Sequence, residues 1–317
     1  MKTLSEFDDI RPFAPEELPE VYDRLLANEQ FHKVLDFLYP GVPIEVIGQN
    51  MHKCKTGLDF QKAFAYPFLK ELIAKASTGC DMDTSEIDSS KQHTFISNHR
   101  DIVLDSAFLS VMQIDKGFPT TCEIAIGDNL LSIPWVRDLA RVNKSFIVKR
   151  GLTPRELMQA SIKMAHYMIF ALNEKRENIW IAQREGRAKD SNDLTQKSIL
   201  KMFALGAEGT LLEKLQQFHI VPLTISYEYD PCDYLKAAEM QAKRDDMNWN
   251  KGPMDDAISM QTGIFGYKGS IHYHAAPCID DYLEALKSKS NISNGDLLDT
   301  ICLHIDKQIH RNYCLYA

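Results

Sequence analysis

The sequence predicts an α/β fold: a mixed, mostly parallel sheet flanked by helices, with an N-terminal helical region ahead of it. Three observations carry the prediction. From residue 93 onward, short apolar segments of strand character alternate with segments of helical period. Before residue 77 the apolar residues recur only at helical spacing. Residues 77–92, STGCDMDTSEIDSSKQ, separate the two as a polar, acidic and aperiodic connection. The expected division is an N-terminal helical region with its polar linker over 1–85 and an α/β domain over 86–317.

The N-terminal helices are read from PEELPEVYDRLLANEQFHKVLDFL (15–38) and LDFQKAFAYPFLKELIAKAS (58–77), with a kink expected at Pro67, whose ring removes a backbone donor. Beyond them, strands are expected at 93–97, 121–126, 145–149, 178–183, 219–226 and 270–275, and helices at 102–114, 153–173, 232–244, 279–288 and 295–310. Residues 245–262 read as a surface excursion, and the glycines of GIFGYKG (263–269) as turns before the last strand. In MQASIKMAHYMIFAL (158–172) the methionines and aromatics stand at helical spacing, which reads as core packing. Ligands of such sheets bind beyond the strand ends.

With 317 residues and 44% hydrophobic content, the chain has enough apolar surface for a substantial core. No apolar run reaches the roughly 18 residues a membrane span needs. The start, MKTLSEFDDIRPF, lacks the apolar centre of a secretory signal, so a cytoplasmic location is expected. The 7 cysteines include no CxxC pair, which suggests neither a zinc site nor a disulfide framework. A net charge of −8 argues against broad nucleic-acid binding, although a local basic group can still hold one phosphate.

The stretch SNHRDIVLDSAFL (97–109) sets His99 between a strand and a helix on which Leu104, Ala107, Phe108 and Val111 recur at three- and four-residue spacing. HRD also opens a protein-kinase catalytic loop. Here no GxGxxG, DFG or APE accompanies it, and Ser106 stands where the metal-binding asparagine belongs. GxSxG and GxxxxGK[ST] are absent as well. There remains a histidine–aspartate pair without an evident serine or cysteine nucleophile, which suits a reaction whose substrate brings the attacking hydroxyl. An imidazole ordinarily titrates near ~6.5 and accepts a proton at neutral pH, while a carboxylate on its other nitrogen fixes the tautomer.

In order, the chain carries NHRDIVLD (98–105), SFIVKR (145–150), IAQREGRAKD (181–190) and IVPLTISYE (220–228), and this set resembles the glycerolipid acyltransferases over roughly residues 90–280. GSIHYHAAPCIDDYL (269–283) resembles the family's closing strand. These enzymes esterify glycerol 3-phosphate, dihydroxyacetone phosphate or lysophosphatidate, and the resemblance implies their glycerol-3-phosphate acyltransferase-like fold. It also implies that His99 is the general base. The family separates its histidine and aspartate by four residues. Here five intervene before Asp105 and Leu104 takes the usual place; the expected partner is Asp105, whose helix continues like the family's, with Asp101, which can instead cap that helix, as the alternative.

The resemblance further assigns acceptor and phosphate binding to Arg150 and Lys149 of the second block and to Glu185, Gly186 and Arg187 of the third. Where the family reads Glu-Gly-Thr-Arg, this chain has Glu185-Gly186-Arg187-Ala188-Lys189, so Arg187 stands one place early or Lys189 takes its role. Pro222 of the fourth block is expected in the pocket wall or the core strand. The implied reaction needs no resident cofactor and no metal. Acyl-CoA or acyl-ACP is the co-substrate, and a phosphate-bearing glycerolipid precursor is the acceptor, in phospholipid biosynthesis. Other outcomes weighed are a lyso-aminolipid acceptor and a catalytically idle, membrane-associated binding protein. Peripheral contact with the cytoplasmic membrane face is expected through FQKAFAYPFLKELIAK (60–75), whose lysines flank aromatic and aliphatic positions.

Overall fold

Seven strands occur among the described residues: β1 (Gly79–Asp83), β2 (Thr94–Ser97), β3 (Cys122–Gly127), β4 (Ser145–Val148), β5 (Asn178–Ala182), β6 (Ile220–Tyr227) and β7 (Ser270–Ala275). The helices before and between the first strands are α1 (Leu18–Leu26), α2 (Glu29–Leu38), α3 (Ile44–Lys53), α4 (Gly57–Phe60), α5 (Tyr66–Ala76), α6 (Leu104–Asp115), α7 (Pro134–Val142) and α8 (Pro154–Asn173). Further along the chain come α9 (Lys197–Leu205), α10 (Leu211–Gln216), α11 (Asp233–Asp245), α12 (Asp255–Phe265), α13 (Asp280–Lys287) and α14 (Asn294–Arg311). The structure is a computed structural model describing residues 4–252, 254–288 and 292–316. Among the described residues no helix is long and apolar enough to cross a membrane.

The chain forms two units. One comprises the chain up to Glu71 together with Glu123–Ala160, the other Leu72–Cys122 together with the chain from Ser161 onward.

In the first unit, the apolar faces of α1, α2 and α3 close on a core of Tyr22, Leu25, Phe31, Ile47, Met51 and Phe60 that also includes Val142 of α7. Leu25 is fully buried there, which is worth on the order of 2 kcal/mol. Arg24 of α1 pairs with Asp138 of α7 at 2.7 Å. The N-terminal helices therefore share a core with a segment lying beyond the boundary expected at residue 85. The disruption expected at Pro67 takes the form of a π turn over Gln61–Ala65, in which the Tyr66 N–H reaches back to Gln61 O immediately before the proline. Phe64, in the stretch expected to meet a membrane, stacks on Phe60 at 5.1 Å between ring centroids. β3 and β4 pair in parallel, Ala125 opposite Phe146.

In the second unit the strand order is β1-β7-β6-β2-β5. β2 runs parallel to both neighbours, Ser97 lying opposite Ala182 of β5 and Leu223 of β6. β7 is antiparallel to β6 and parallel to β1. All four residues of β2 and all eight of β6 are buried, the pattern of strands covered on both faces. Because β2, β5 and β6 point the same way, the loops leaving their carboxyl ends open at one edge. The methionines and aromatics of α8 that lie in this unit, among them Met164, Tyr167 and Met168, are core.

Two expectations are corrected here. The acidic connection 77–92 contains a strand, β1, whose Met82 alone is buried; as an edge strand beside β7 it needs no apolar periodicity. Its Asp81 pairs with His272 of β7 at 2.9 Å. The stretch 245–262 does lie on the surface, but it contains the start of a helix, α12, which runs on to Phe265 and takes in Gly263, read from sequence as part of a turn.

Candidate functional site

The site grows from the end of β2. Asn98, fully buried, binds β6 twice: its Nδ2 donates to Ile225 O and its Oδ1 accepts from Ile225 N–H, both at 2.8 Å. One side chain thus substitutes for a stretch of strand pairing and fixes where the chain leaves the sheet. His99 is next in the chain. Its Nδ1 lies 2.8 Å from Asp105 Oδ2, with the His99 and Asp105 side chains 14% and 1% exposed. An ionised carboxylate can only accept, so Nδ1 carries the proton and the neutral ring keeps its lone pair on Nε2. Nε2 has no hydrogen-bond partner among the described residues. Trp180 of β5 stands edge-on to the imidazole, 5.6 Å between centroids, while its Nε1–H donates to Ser97 Oγ at 3.0 Å.

Asp105 does more than hold the imidazole. Its Oδ2 also accepts the backbone N–H of Arg100 at 2.6 Å and of Asp101 at 3.1 Å, so one oxygen gathers the turn that contains the histidine. From the opposite side, the buried Tyr273 hydroxyl of β7 donates to the Asp105 carbonyl at 2.8 Å. Asp101 has the other role: Oδ1 accepts the N–H of Val103 at 2.9 Å and of Leu104 at 2.7 Å, capping α6. Its carboxyl is buried, which raises its pKa; the charge of Asp105 adds to the rise and the two N–H donors and Arg187 oppose it. Between the two candidates, the geometry makes Asp105 the partner.

The third block forms the loop after β5. Gln183 N–H donates to Ser97 O at 2.7 Å, and Gln196 N–H closes the loop base on Gln183 O at 2.8 Å. The Glu185 N–H donates to Gln196 Oε1 at 2.9 Å, and Gly186 turns at a φ of 71°, where a side chain is disfavoured. Arg187 acts electrostatically on Asp101, and its Nη1 is buried without a hydrogen-bond partner among the described residues. Lys189, the alternative cation, forms an ion pair with Glu239 of α11, and burial lowers its pKa.

Lys149 and Arg150 lie in the first unit, after β4. Lys149 pairs with Asp9 at 2.6 Å, and the Arg150 N–H donates to Asp128 Oδ1 at 3.1 Å. Pro222 is a buried residue of β6 opposite Ile96 of β2, its carbonyl accepting Ala276 N–H at 3.0 Å.

Several residues around the dyad carried no signal in the sequence. Gly263 of α12 packs so closely on the histidine turn that a Cβ there would lie 1.9 Å from Asp101 Oδ2. Lys268, 0% exposed, donates to Ile264 O at 3.0 Å and Gly266 O at 2.6 Å, and burial pushes its pKa down to about 8. Arg100 pairs with Asp193 at 2.8 Å. Only Asn98 and Arg100, on either side of the histidine in the first block, were open to suspicion from sequence. Among the described residues no three His, Cys, Asp or Glu side chains group to hold a metal ion.

A search of curated proteins gave no match to this chain. The crystal structure of the 1-acyl-sn-glycerophosphate (LPA) acyltransferase PlsC from Thermotoga maritima is similar, with a TM-score of 0.44 and 13% identity over 94% of this chain and 95% of that one. Residues 82–226, a span that holds both members of the dyad and the loop after β5, match the Acyltransferase family model. Over that span, a little under half of its length, the chain is similar to the acyltransferases.

Proposed function

We propose that the protein transfers a fatty acyl group from an acyl thioester to a hydroxyl of a phosphate-bearing glycerol backbone, glycerol 3-phosphate or lysophosphatidate, with His99 as general base. The observation that carries the proposal is the 2.8 Å contact between His99 Nδ1 and Asp105, which leaves Nε2 to receive a proton. In the reaction the acceptor oxygen attacks the thioester carbonyl while its proton passes to Nε2. The C–S bond then breaks, and the imidazolium returns the proton to the departing thiolate. A free thiol has a pKa near ~8.5, so the leaving group needs little acid assistance and no acyl-enzyme intervenes. Asp105 holds the tautomer and stabilises the imidazolium.

The acceptor's phosphate is assigned to Arg187 and, by sequence resemblance, to Arg150 and Lys149, with Glu185 and Gly186 shaping the loop. A buried guanidinium nitrogen without an acceptor costs on the order of 1–3 kcal/mol, and an incoming phosphate oxygen removes that cost. The donor is acyl-CoA or acyl-ACP, and exchange of the lipid takes place at a membrane surface.

The test monitors thiol release with a thiol-reactive dye, supplying acyl-CoA or acyl-ACP with each acceptor in turn. Turnover with glycerol 3-phosphate or lysophosphatidate that His99→Ala abolishes, with far-UV circular dichroism unchanged, is the expected result. Turnover confined to phosphate-free acceptors such as a lyso-aminolipid overturns the acceptor assignment. Absence of turnover with every pair overturns the enzymatic reading in favour of a binding protein.

A further inference from the structure

Arg100 is the residue after the base; both of its backbone groups and its guanidinium have partners, and its Nε is buried without one among the described residues. Its N–H goes to Asp105 at 2.6 Å, and its carbonyl accepts Lys236 Nζ of α11 at 2.9 Å. Its guanidinium meets Asp193 at 2.8 Å, with the two side chains 12% and 2% exposed, and lies 5.1 Å over the Tyr313 ring. Asp193 belongs to the loop after β5 that carries Glu185, Gly186 and Arg187. Neither of its carboxylate oxygens accepts a hydrogen bond of good geometry among the described residues; burial raises its pKa, and Arg100 is the foremost of the cations that oppose the rise, ahead of Arg184 and Lys236. The Asp193 carbonyl accepts His310 Nε2 at 3.1 Å, and two residues on, Thr195 N–H and Oγ1 donate to Asp306 Oδ1 of α14 at 2.8 and 2.6 Å.

We propose that Arg100 and Asp193 are a positioning pair: they fix the loop carrying Glu185-Gly186-Arg187 in register with the His99 turn, and the Tyr313 ring keeps the guanidinium in the plane that reaches Asp193. A buried ion pair adds little to stability compared with an apolar pair of the same shape, so stability alone does not account for its placement. Its ends sit on the base's turn and on the proposed acceptor loop, more than ninety residues apart in the chain. An arginine at this place offers a planar fork that a flexible ammonium does not. The kinetic part of this inference rests on the function proposed above; the structural part does not.

The full chain is made as Arg100→Gln, Asp193→Asn, the double variant, and Tyr313→Leu. Each single charge variant leaves a buried charge without its nearest counter-charge, so its urea midpoint falls, and the double variant regains most of the loss. The positioning role predicts that the double variant, though stable, keeps an acceptor KM raised by about tenfold or more with donor KM nearly unchanged, and that amides of 184–192 exchange with deuterium faster than in the wild type. Tyr313→Leu, with both charges intact, shows the same split more weakly. A double variant with wild-type midpoint, acceptor KM and exchange overturns the proposal. If the wild type turns over no acceptor at all, the function fails and the exchange arm decides alone: faster exchange of 184–192 in a stable double or Tyr313→Leu variant supports the pair, and unchanged exchange overturns it.

Discussion

Replacing Asp105 by asparagine separates the two aspartates that the sequence leaves in competition. One carboxylate oxygen receives His99 Nδ1 at 2.8 Å and the N–H groups of Arg100 and Asp101 at 2.6 and 3.1 Å. An amide offers a single oxygen. If that oxygen keeps all three donors, the geometry survives but the charge that stabilises the imidazolium is gone. If the amide NH₂ turns to His99, Nδ1 must accept, the ring proton moves to Nε2, and the base is disabled. A positioned base contributes about 10²–10⁴-fold, or about 3–5 kcal/mol. We expect kcat to fall by at least about 10²-fold at little-changed acceptor KM, because the lost interaction matures only in the transition state. Asp101→Asn is the control. Its amide oxygen can still cap Val103 and Leu104, and burial already favours the neutral carboxyl, so activity is expected to stay within a few-fold of wild type. Both are read by thiol release with urea midpoints alongside. A nearly active Asp105→Asn beside an Asp101→Asn reduced by about 10²-fold refutes the assignment.

Three further outcomes are expected. Gly263→Ala places a methyl 1.9 Å from an Asp101 oxygen whose partner oxygen is pinned by two N–H groups, so the urea midpoint falls by the equivalent of about 1–3 kcal/mol; an unchanged midpoint shows that α12 moves freely off the turn. Lys268, held near 8 when folded against 10.5 for a free side chain, binds fewer protons than the unfolded chain between those values. Wild-type stability therefore rises with pH across that window relative to Lys268→Met, by about 3 kcal/mol in all, and parallel pH profiles contradict the burial of a titrating amine. Arg150→Ala is expected to raise acceptor KM with donor KM nearly constant; equal loss for both substrates removes its assignment to the phosphate.

The strands between residues 93 and 275 were legible because each is an apolar run or, in β7, a polar–apolar alternation, and each observed strand begins and ends within one residue of the expected span. β1 was not, for a physical reason: an edge strand paired only with β7 and burying only Met82 needs neither alternation nor a hydrophobic run. The helices around 134–142 and 197–216 were missed for a related one, being short pieces of six to nine residues whose periodicity hardly repeats. The boundary expected at 85 came from a change of composition, whereas the core of α1, α2 and α3 recruits Val142 from a segment that composition places elsewhere. Contacts between distant segments leave no local mark. The same holds for Asp193 and Lys268, whose roles arise only from the neighbours that α6, α12 and the loop after β5 bring beside them.

The extra residue between His99 and Asp105 is the point where local geometry decides the matter. Adding one residue to a helix rotates every later position by about 100°, which on a continuous helix would carry the carboxylate away from the imidazole. The chain avoids this because the insertion falls before the helix. α6 begins at Leu104, so Asp105 is its second residue, and the five intervening residues are mostly turn. That turn is closed from inside: Asp105 takes the N–H groups of Arg100 and Asp101, while Asp101 turns its own oxygen to Val103 and Leu104. Each aspartate thus satisfies donors that the longer turn would otherwise leave buried and unpaired. Asp101 is the residue that makes the insertion tolerable, and Gly263, by having no side chain, leaves room for it. A substitution that lengthens or stiffens this turn, such as Asp101→Pro, deletes the N–H that Asp105 holds and the cap of α6 together. It is expected to lose the His99–Asp105 contact itself, seen as loss of the downfield Nδ1 proton resonance, where Asp101→Asn retains it.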